Sequence, residues 1–175
     1  MHYKIYGPYE IPRLEGEFKR RIDKEDVAAF WDIVDGSLYD GCGCYVFCIA
    51  TQRREKPWYV GKAQKQSFGR ECFTPHKIVM YHEALEKSNG TPLMYFLARF
   101  TKTGHISRPT RSAAGHADID FVERMFIEKG FHVNRHIRNK RDTKNPENLI
   151  VEGFYNSRDR RRNPVKRLYE LFGGE

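Results

Sequence analysis

Short runs of apolar residues, separated by polar turns, divide the middle of the chain into strands. The stretch "CGCYVFCIAT" is apolar at successive positions, which is typical of a central strand covered on both faces. "WYVGKA" predicts a second short strand, and the polar "QRREKP" between the two predicts a hairpin with a six-residue loop. "LMYFLARF" predicts a third strand.

Helical spacing of apolar residues marks four other regions. "PRLEGEFKRRIDKEDVAAFWDIVDG" predicts one or two helices that end at Gly36. Thr74 and Pro75 have the residue types of a cap and a first-turn proline, and they predict a helix that ends before Asn89-Gly90. After the polar loop "TKTGHISRPTRSAAGH", the stretch "ADIDFVERMFIEKG" predicts a helix that ends at Gly130, and "VKRLYELF" predicts a short C-terminal helix.

Composition narrows the class of protein. No apolar run approaches 18 residues, and the first residues lack the pattern of a signal peptide, so we expect a soluble, cytoplasmic protein without a membrane partner. The formal net charge is +8, yet residues 1–40 carry six basic and nine acidic side chains, so the basic excess lies wholly after residue 40. Its dense runs, "NRHIRNKRDTK" and "SRDRRRNPVKR", suit a polyanion, because each phosphate contact releases condensed counterions. A solvated basic surface is the alternative.

The cysteines raise the question of a zinc site. Cys42 and Cys44 would point to one face of a strand, about 6.5 Å apart. Two sulfurs bound to one zinc ion must lie within roughly 4 Å of each other. We therefore expect the four cysteines to be buried thiols in a reducing compartment, with a zinc-stabilised interaction domain as the alternative. The four are Cys42, Cys44, Cys48 and Cys72.

Glu123 lies in the apolar stripe of a predicted helix. Its neighbours three and four residues away include Ile119, Phe126 and Ile127. A buried carboxylate without a partner costs several kcal/mol, so Glu123 requires a cation, a metal ion or strong hydrogen-bond donors. A functional carboxylate is one interpretation; a salt bridge to a core arginine and a helix rotated to expose Glu123 are the others.

An ordered set of residues resembles the motifs of the GIY-YIG nuclease family over residues 41 to about 140. The set is Gly43-Cys44-Tyr45, Tyr59-Val60-Gly61, Lys62, Arg70, His76, Glu123 and Asn134. Cys44 stands where the family name has isoleucine, a small change because that residue only packs. The 14-residue spacing between the two tyrosines is slightly longer than usual, and the loop absorbs the excess.

The resemblance implies an α+β fold of the GIY-YIG type, with a small three-stranded antiparallel sheet flanked by helices. It divides the chain into a helical N-terminal extension (1–40), a nuclease domain (41–145) and a basic C-terminal extension (146–175). It also implies a metal-dependent endonuclease that hydrolyses phosphodiester bonds of DNA at a single divalent-metal site.

The resemblance further implies a role for each matching residue. Glu123 would bind Mg²⁺ or Mn²⁺, and Tyr45 would accept a proton from water or orient it, as a phenolate if nearby cations lower its pKa. Tyr59 would position the water or the phosphate, and Arg70 would clamp the phosphate. His76, or alternatively His82, would contact phosphate or relay a proton.

The remaining residues are expected to bind substrate or support the site. Lys62 would contact phosphate or take part in the chemistry. Asn134 is expected among the substrate-binding residues, where it would hold the site together through hydrogen bonds to backbone. The basic run adds Arg135, Arg138 and Lys140. The sequence leaves open DNA or RNA as substrate, a homodimer, and a GIY-YIG module that binds nucleic acid without catalysis.

Overall fold

The computed structural model describes residues 1–16, 20–139, 150–152 and 163–172. The strands of these residues are β1 (His2–Glu10), β2 (Gly43–Ala50), β3 (Glu55–Ala63), β4 (Thr91–Phe100) and β5 (Ile150–Val151). The helices are α1 (Lys24–Ile33), α2 (Gly36–Tyr39), α3 (Phe68–Glu71), α4 (Pro75–Lys87), α5 (Ala117–Val133) and α6 (Asn163–Leu171). The α+β prediction is confirmed.

The sheet has more strands than the sequence predicted. Four antiparallel strands lie in the order β3-β2-β4-β1, and the two-residue β5 pairs in parallel with β1. The expectation of three strands is wrong because residues 2–10, assigned to a helical extension, form β1 and pair with β4 from His2–Phe100 to Glu10–Leu93. β1 buries few of its side chains, whereas β4 is buried along nearly its whole length and requires a strand on each side.

The sheet separates two hydrophobic cores. Successive residues of β2 point to opposite faces, so Cys44 and Val46 pack toward α5 and α6, while Tyr45 and Phe47 pack toward α1 and α4. The predicted central strand, covered on both faces, is confirmed. The predicted boundaries between extension, nuclease domain and tail stay predictions, although β1 and α6 contribute Tyr3 and Leu168 to the core beside α5.

All four cysteines are buried and free. Burial raises the pKa of Cys42 to about 11, which keeps this thiol protonated near neutral pH. Across the described ranges, no group of three or more His, Cys, Asp and Glu side chains is arranged to hold a metal ion. The cysteines therefore pack as small apolar side chains.

Several boundaries differ from the prediction. The β2–β3 hairpin forms, but its loop spans only residues 51–54 because β3 begins at Glu55, three residues earlier than predicted. Gly36 begins α2 rather than ending a helix, and α5 continues past Gly130 to Val133. A Cβ on Gly130 would lie 2.6 Å from the Cδ1 atom of Ile137, so this glycine allows the chain after α5 to pack back on the helix. In the described part of the chain, no helix is long and apolar enough to cross a membrane.

A buried ionic network joins β1, β4 and α5. The hydroxyl of Tyr3 donates a hydrogen bond to Asp118 Oδ2 at 2.9 Å, and Arg99 Nε donates to the same oxygen at 2.8 Å. Arg99 Nη1 also donates to Ser107 Oγ at 3.0 Å. Asp118 is 7% exposed, so these donors offset the cost of burying its carboxylate.

We expect Asp118→Ala to lower the free energy of unfolding by about 3 kcal/mol, because it leaves Arg99 without its partner. Tyr3→Phe removes one donor and should cost about 1 kcal/mol. The exposed Asp32→Ala is the control and should change stability by less than about 0.5 kcal/mol. Urea unfolding measures all three; equal losses for Asp118→Ala and Asp32→Ala would contradict the role of the network.

Candidate active site

The candidate residues meet at the edge of the sheet, around the end of β3. β3 is the outermost strand beside β2, and its successive side chains point to opposite faces. Tyr59 and Gly61 face the core beside α4, whereas Lys62 points to the other face, toward α5. One half of the site therefore lies on each face of the sheet, at the edge formed by β3.

The two motif glycines are required by close approaches of neighbouring groups. Gly61 pairs with Tyr45 across β2 and β3, and a Cβ on Gly61 would lie 2.2 Å from Cζ of Tyr45. Gly43 has φ +151°, and a Cβ there would lie 2.1 Å from the carbonyl oxygen of Leu97. Gly43 thus lets β2 lie against β4, and Gly61 leaves room for the phenol ring of Tyr45.

Tyr45 is fully buried beneath Gly61. Its hydroxyl is buried near the Tyr81 phenol, whose own hydroxyl donates to the carbonyl oxygen of Cys72 at 2.8 Å. Burial, followed by the nearby Tyr81 phenol, raises the pKa of Tyr45 well above its usual value. In this arrangement the neutral phenol is favoured over the phenolate that proton acceptance from water would require.

Tyr59 lies beside Tyr45 and belongs to a polar group at the site. The ring centroids of the two tyrosines are 6.1 Å apart. Lys77 Nζ lies 2.6 Å from the Tyr59 hydroxyl oxygen and 4.9 Å from the centroid of its ring. Lys77 also forms an ion pair with Glu71 at 3.7 Å. Because an ammonium group only donates, Tyr59 accepts from Lys77, and its own hydroxyl hydrogen points elsewhere.

Lys62 forms the second polar group, on the α5 side. Lys62 Nζ lies 2.6 Å from Asp120 Oδ1 and 2.8 Å from Glu123 Oε2. Burial opposes the charge of Lys62, but the two carboxylates outweigh it and raise the pKa of the ammonium group. The charge of Glu123, whose side chain is 15% exposed, is therefore balanced by a salt bridge to a lysine.

Electrostatic coupling links the two polar groups. The pKa of Glu71 is raised mainly by burial; Lys77 opposes this shift, and the negative charge of Glu123 adds to it. Glu71 belongs to α3 and Glu123 to α5, so carboxylates from both halves act on each other at the sheet edge. Such carboxylate oxygens are donors that Mg²⁺ and Mn²⁺ prefer.

Arg70 and His76 are exposed to solvent near this edge. Arg70 precedes Glu71 in α3, and His76 precedes Lys77 in the first turn of α4. His82, the alternative to His76, lies 2.9 Å through Nε2 from the backbone nitrogen of Ile22. His82 thus contacts the N-terminal segment rather than the groups around Tyr59.

The segment after α5 covers the neighbouring part of β3. Asn134 is buried; its Nδ2 donates to the carbonyl oxygen of Pro57 at 2.8 Å, and its Oδ1 accepts from the backbone nitrogen of His136 at 3.1 Å. Arg135 and Arg138 are exposed, and Arg138 forms an ion pair with Glu83. Lys140 lies outside the described residues.

No protein-family model matches the chain, and neither does any curated protein or solved structure. The site therefore rests on its own geometry.

Sequence reasoning missed Lys77, Glu71 and Asp120 as partners of the motif residues. Asp120 follows Lys62 by 58 positions and Lys77 follows Tyr59 by 18, so no local pattern relates them. The first turn of a helix beside a motif histidine was the only signal for Lys77. Each contact depends on packing a helix against β3, which the pattern of apolar residues does not specify in atomic detail.

Gly61→Ala should destabilise the protein by about 1–3 kcal/mol, because its methyl group overlaps the Tyr45 ring. Gly36→Ala is the control, since nothing lies within 4 Å of a Cβ at that position. In a double-mutant cycle with Tyr45→Ala, the cost of Gly61→Ala should largely disappear. Urea unfolding provides the measurement, and a cost that persists without the Tyr45 ring would show that the overlap is not its cause.

Proposed function

We propose that the chain is a GIY-YIG-type endonuclease that hydrolyses phosphodiester bonds of DNA with a divalent cation, Mg²⁺ or Mn²⁺. The observation that carries the proposal is the convergence of Tyr59, Lys77 and Glu71 with Lys62 and Glu123 at one edge of the sheet. These residues come from three separate stretches of sequence, and the motif residues among them lie in the order that the resemblance requires.

Because no three His, Cys, Asp or Glu side chains of the described residues are arranged to hold a metal ion, Glu123 would be the one protein ligand of a hard divalent cation that keeps several waters. Lys62 contacts one Glu123 oxygen, Oε2, and a carboxylate has a second oxygen with which to bind a cation. The carboxylates of Asp120 and Glu71 add negative charge near Glu123. When bound by Glu123, the cation would supply Lewis-acid stabilisation of the charge that develops at phosphorus.

The residues of the chain supply the remaining requirements of the reaction. Lys77 directs the hydroxyl hydrogen of Tyr59 away from itself, so that Tyr59 can donate to the attacking water or to a phosphate oxygen. Arg70 is exposed and permanently charged, which suits it to bind two oxygens of a phosphate. Lys62 holds Glu123 in position, and Tyr45 fills the space behind Gly61 as a neutral phenol.

One observation favours a second candidate function. The burial of Tyr45, with its raised pKa, fits a GIY-YIG module that binds nucleic acid but does not cut it. The two candidates differ in whether metal-dependent cleavage depends on Glu123.

Glu123→Gln should reduce nicking of supercoiled plasmid in Mg²⁺ or Mn²⁺ by about 100-fold or more, because the variant loses the carboxylate charge at the cation site. Glu128→Gln, an exposed position on the same helix, is the matched control and should cut like the wild type. Reactions with EDTA define the background. Binding without cutting by the wild-type protein would favour the non-catalytic module, and equal cutting by both variants would exclude Glu123 as the metal ligand.

Lys77→Met should lower kcat by about 10- to 100-fold, because Tyr59 loses the donor that fixes its hydroxyl group. The matched control is Lys87→Met, at the exposed C-terminal end of the same helix, which should leave kcat unchanged. Initial rates over a range of DNA concentrations separate kcat from KM. An effect on KM alone would assign Lys77 to substrate binding instead.

A further inference from the structure

A cleft lined by arginines lies at the end of the sheet opposite the candidate active site. It is a cleft of about 820 Å³ between the β2–β3 turn, the N-terminal segment after β1 and the residues that follow α4. Arg13 and Arg20 from the N-terminal segment and Arg53 from the β2–β3 turn line it. We call it the arginine cleft.

The lining of the arginine cleft is suited to an anion. Among the described residues that line it there is no Asp or Glu; besides the arginines, the polar ones are uncharged. Arg20 Nη2 donates to Asn89 Oδ1 at 3.2 Å, which holds this guanidinium group at the cleft, and Arg53 is exposed at the tip of the β2–β3 turn. Guanidinium groups bind phosphate oxygens in pairs and keep their charge at any physiological pH.

The cleft is a fixed part of the fold. Its wall formed by residues 88–91 lies directly against the end of β2, where a Cβ on Gly90 would lie 2.2 Å from the carbonyl oxygen of Ala50. On the other side, His82 of α4 contacts the backbone of Ile22, which fixes the chain that follows Arg20. Arg20 therefore lies next to backbone that contacts α4, and Arg53 lies on the short turn that joins β2 and β3.

Helix α4 connects the cleft to the candidate active site. Lys77 lies in its first turn beside Tyr59, whereas Ser88 follows its last residue and lines the cleft. At 1.5 Å per residue, the helix axis separates these two positions by about 16 Å. This distance corresponds to about five base-pair steps at 3.4 Å per step.

We propose that the arginine cleft is a second contact for the phosphate backbone of the duplex DNA that reaches the candidate active site. The proposal rests on the proposed function in naming DNA as the ligand. The arginine cleft and the Tyr59–Lys77 half of the candidate active site lie at the two ends of α4, at a separation that one duplex can bridge. The helix surface between them carries Glu86, which is exposed, and Glu83, which pairs with Arg138, so contact at two points is expected rather than a continuous basic groove.

The test compares two variants that remove the same charge. Arg20→Gln/Arg53→Gln alters the cleft, while Lys102→Gln/Lys129→Gln removes two exposed charges, from the turn after β4 and from α5, neither of which lines the cleft. Binding of a fluorescent 20-base-pair duplex is measured by anisotropy in EDTA at several salt concentrations, so the result does not depend on cleavage. Thermal unfolding verifies that both variants are folded.

The cleft variant should bind about tenfold more weakly than the wild type near 0.1 M salt, and its salt slope should fall by about two, one for each lost phosphate contact. The control variant should keep the wild-type slope. Equal losses in the two variants, or an unchanged slope in the cleft variant, would overturn the proposal.

Two further arms separate the remaining outcomes. Inorganic pyrophosphate and ATP are titrated into wild type and cleft variant; tight binding that requires the arginines, with DNA binding unaffected, would assign the cleft to a small phosphate ligand and overturn the proposal. If the cleft variant loses DNA affinity but the wild type never cuts, the cleft assignment stands and the proposed nuclease activity fails. Absence of DNA binding by the wild type would overturn both.

Discussion

The candidate site depends on how the outer edge of β3 is used. An edge strand exposes unpaired backbone groups, which proteins cover or blunt to prevent pairing with other chains. Here residues 134–139 cover the first part of the edge. The side chain of Asn134 donates to the carbonyl oxygen of Pro57, and the backbone nitrogen of Arg138 donates to the carbonyl oxygen of Trp58. Asn139 Oδ1 accepts from the backbone nitrogen of Val60. Among the residues that the structure describes, these contacts reach as far as Val60, next to Gly61 and Lys62. The segment after α5 therefore covers the part of the edge that directly precedes the candidate catalytic groups.

Charge at this edge is arranged in compensating pairs. Lys62 offsets Asp120 and Glu123, and Lys77 offsets Glu71, so each cation lies within 4 Å of a carboxylate. Pairs of this kind, partly shielded from water, stay charged and retain fixed positions. A phosphate group and a divalent cation would therefore meet charges that are already oriented, which is the condition for electrostatic catalysis.

The sequence predicted the parts of the fold that local pattern determines. The β2–β3 hairpin, the helix that begins at Pro75 and the α5 helix follow from apolar periodicity, capping residues and turn residues. β1 was missed because its partly buried residues resemble those of a surface segment; only the two-sided burial of β4 indicates a neighbouring strand there. Periodicity also identified Glu123 as a carboxylate that needs a partner. It could not identify Lys62 as that partner, nor the burial of Tyr45, because both depend on how α5 and β3 pack.

The two halves of the candidate site lie on opposite faces of the sheet, each beside a different hydrophobic core. Tyr59 packs in the core on the α4 side of the sheet, where Lys77 contacts it, whereas Glu123 lies on α5 on the other face. Among the described residues, the sheet lies between these two packing units, and the Arg138–Glu83 ion pair joins them across its edge. A substrate phosphate that contacts groups on both faces would join them at a second point, and its binding would stabilise the folded protein. The site would thus contribute to the integrity of the fold when it is occupied.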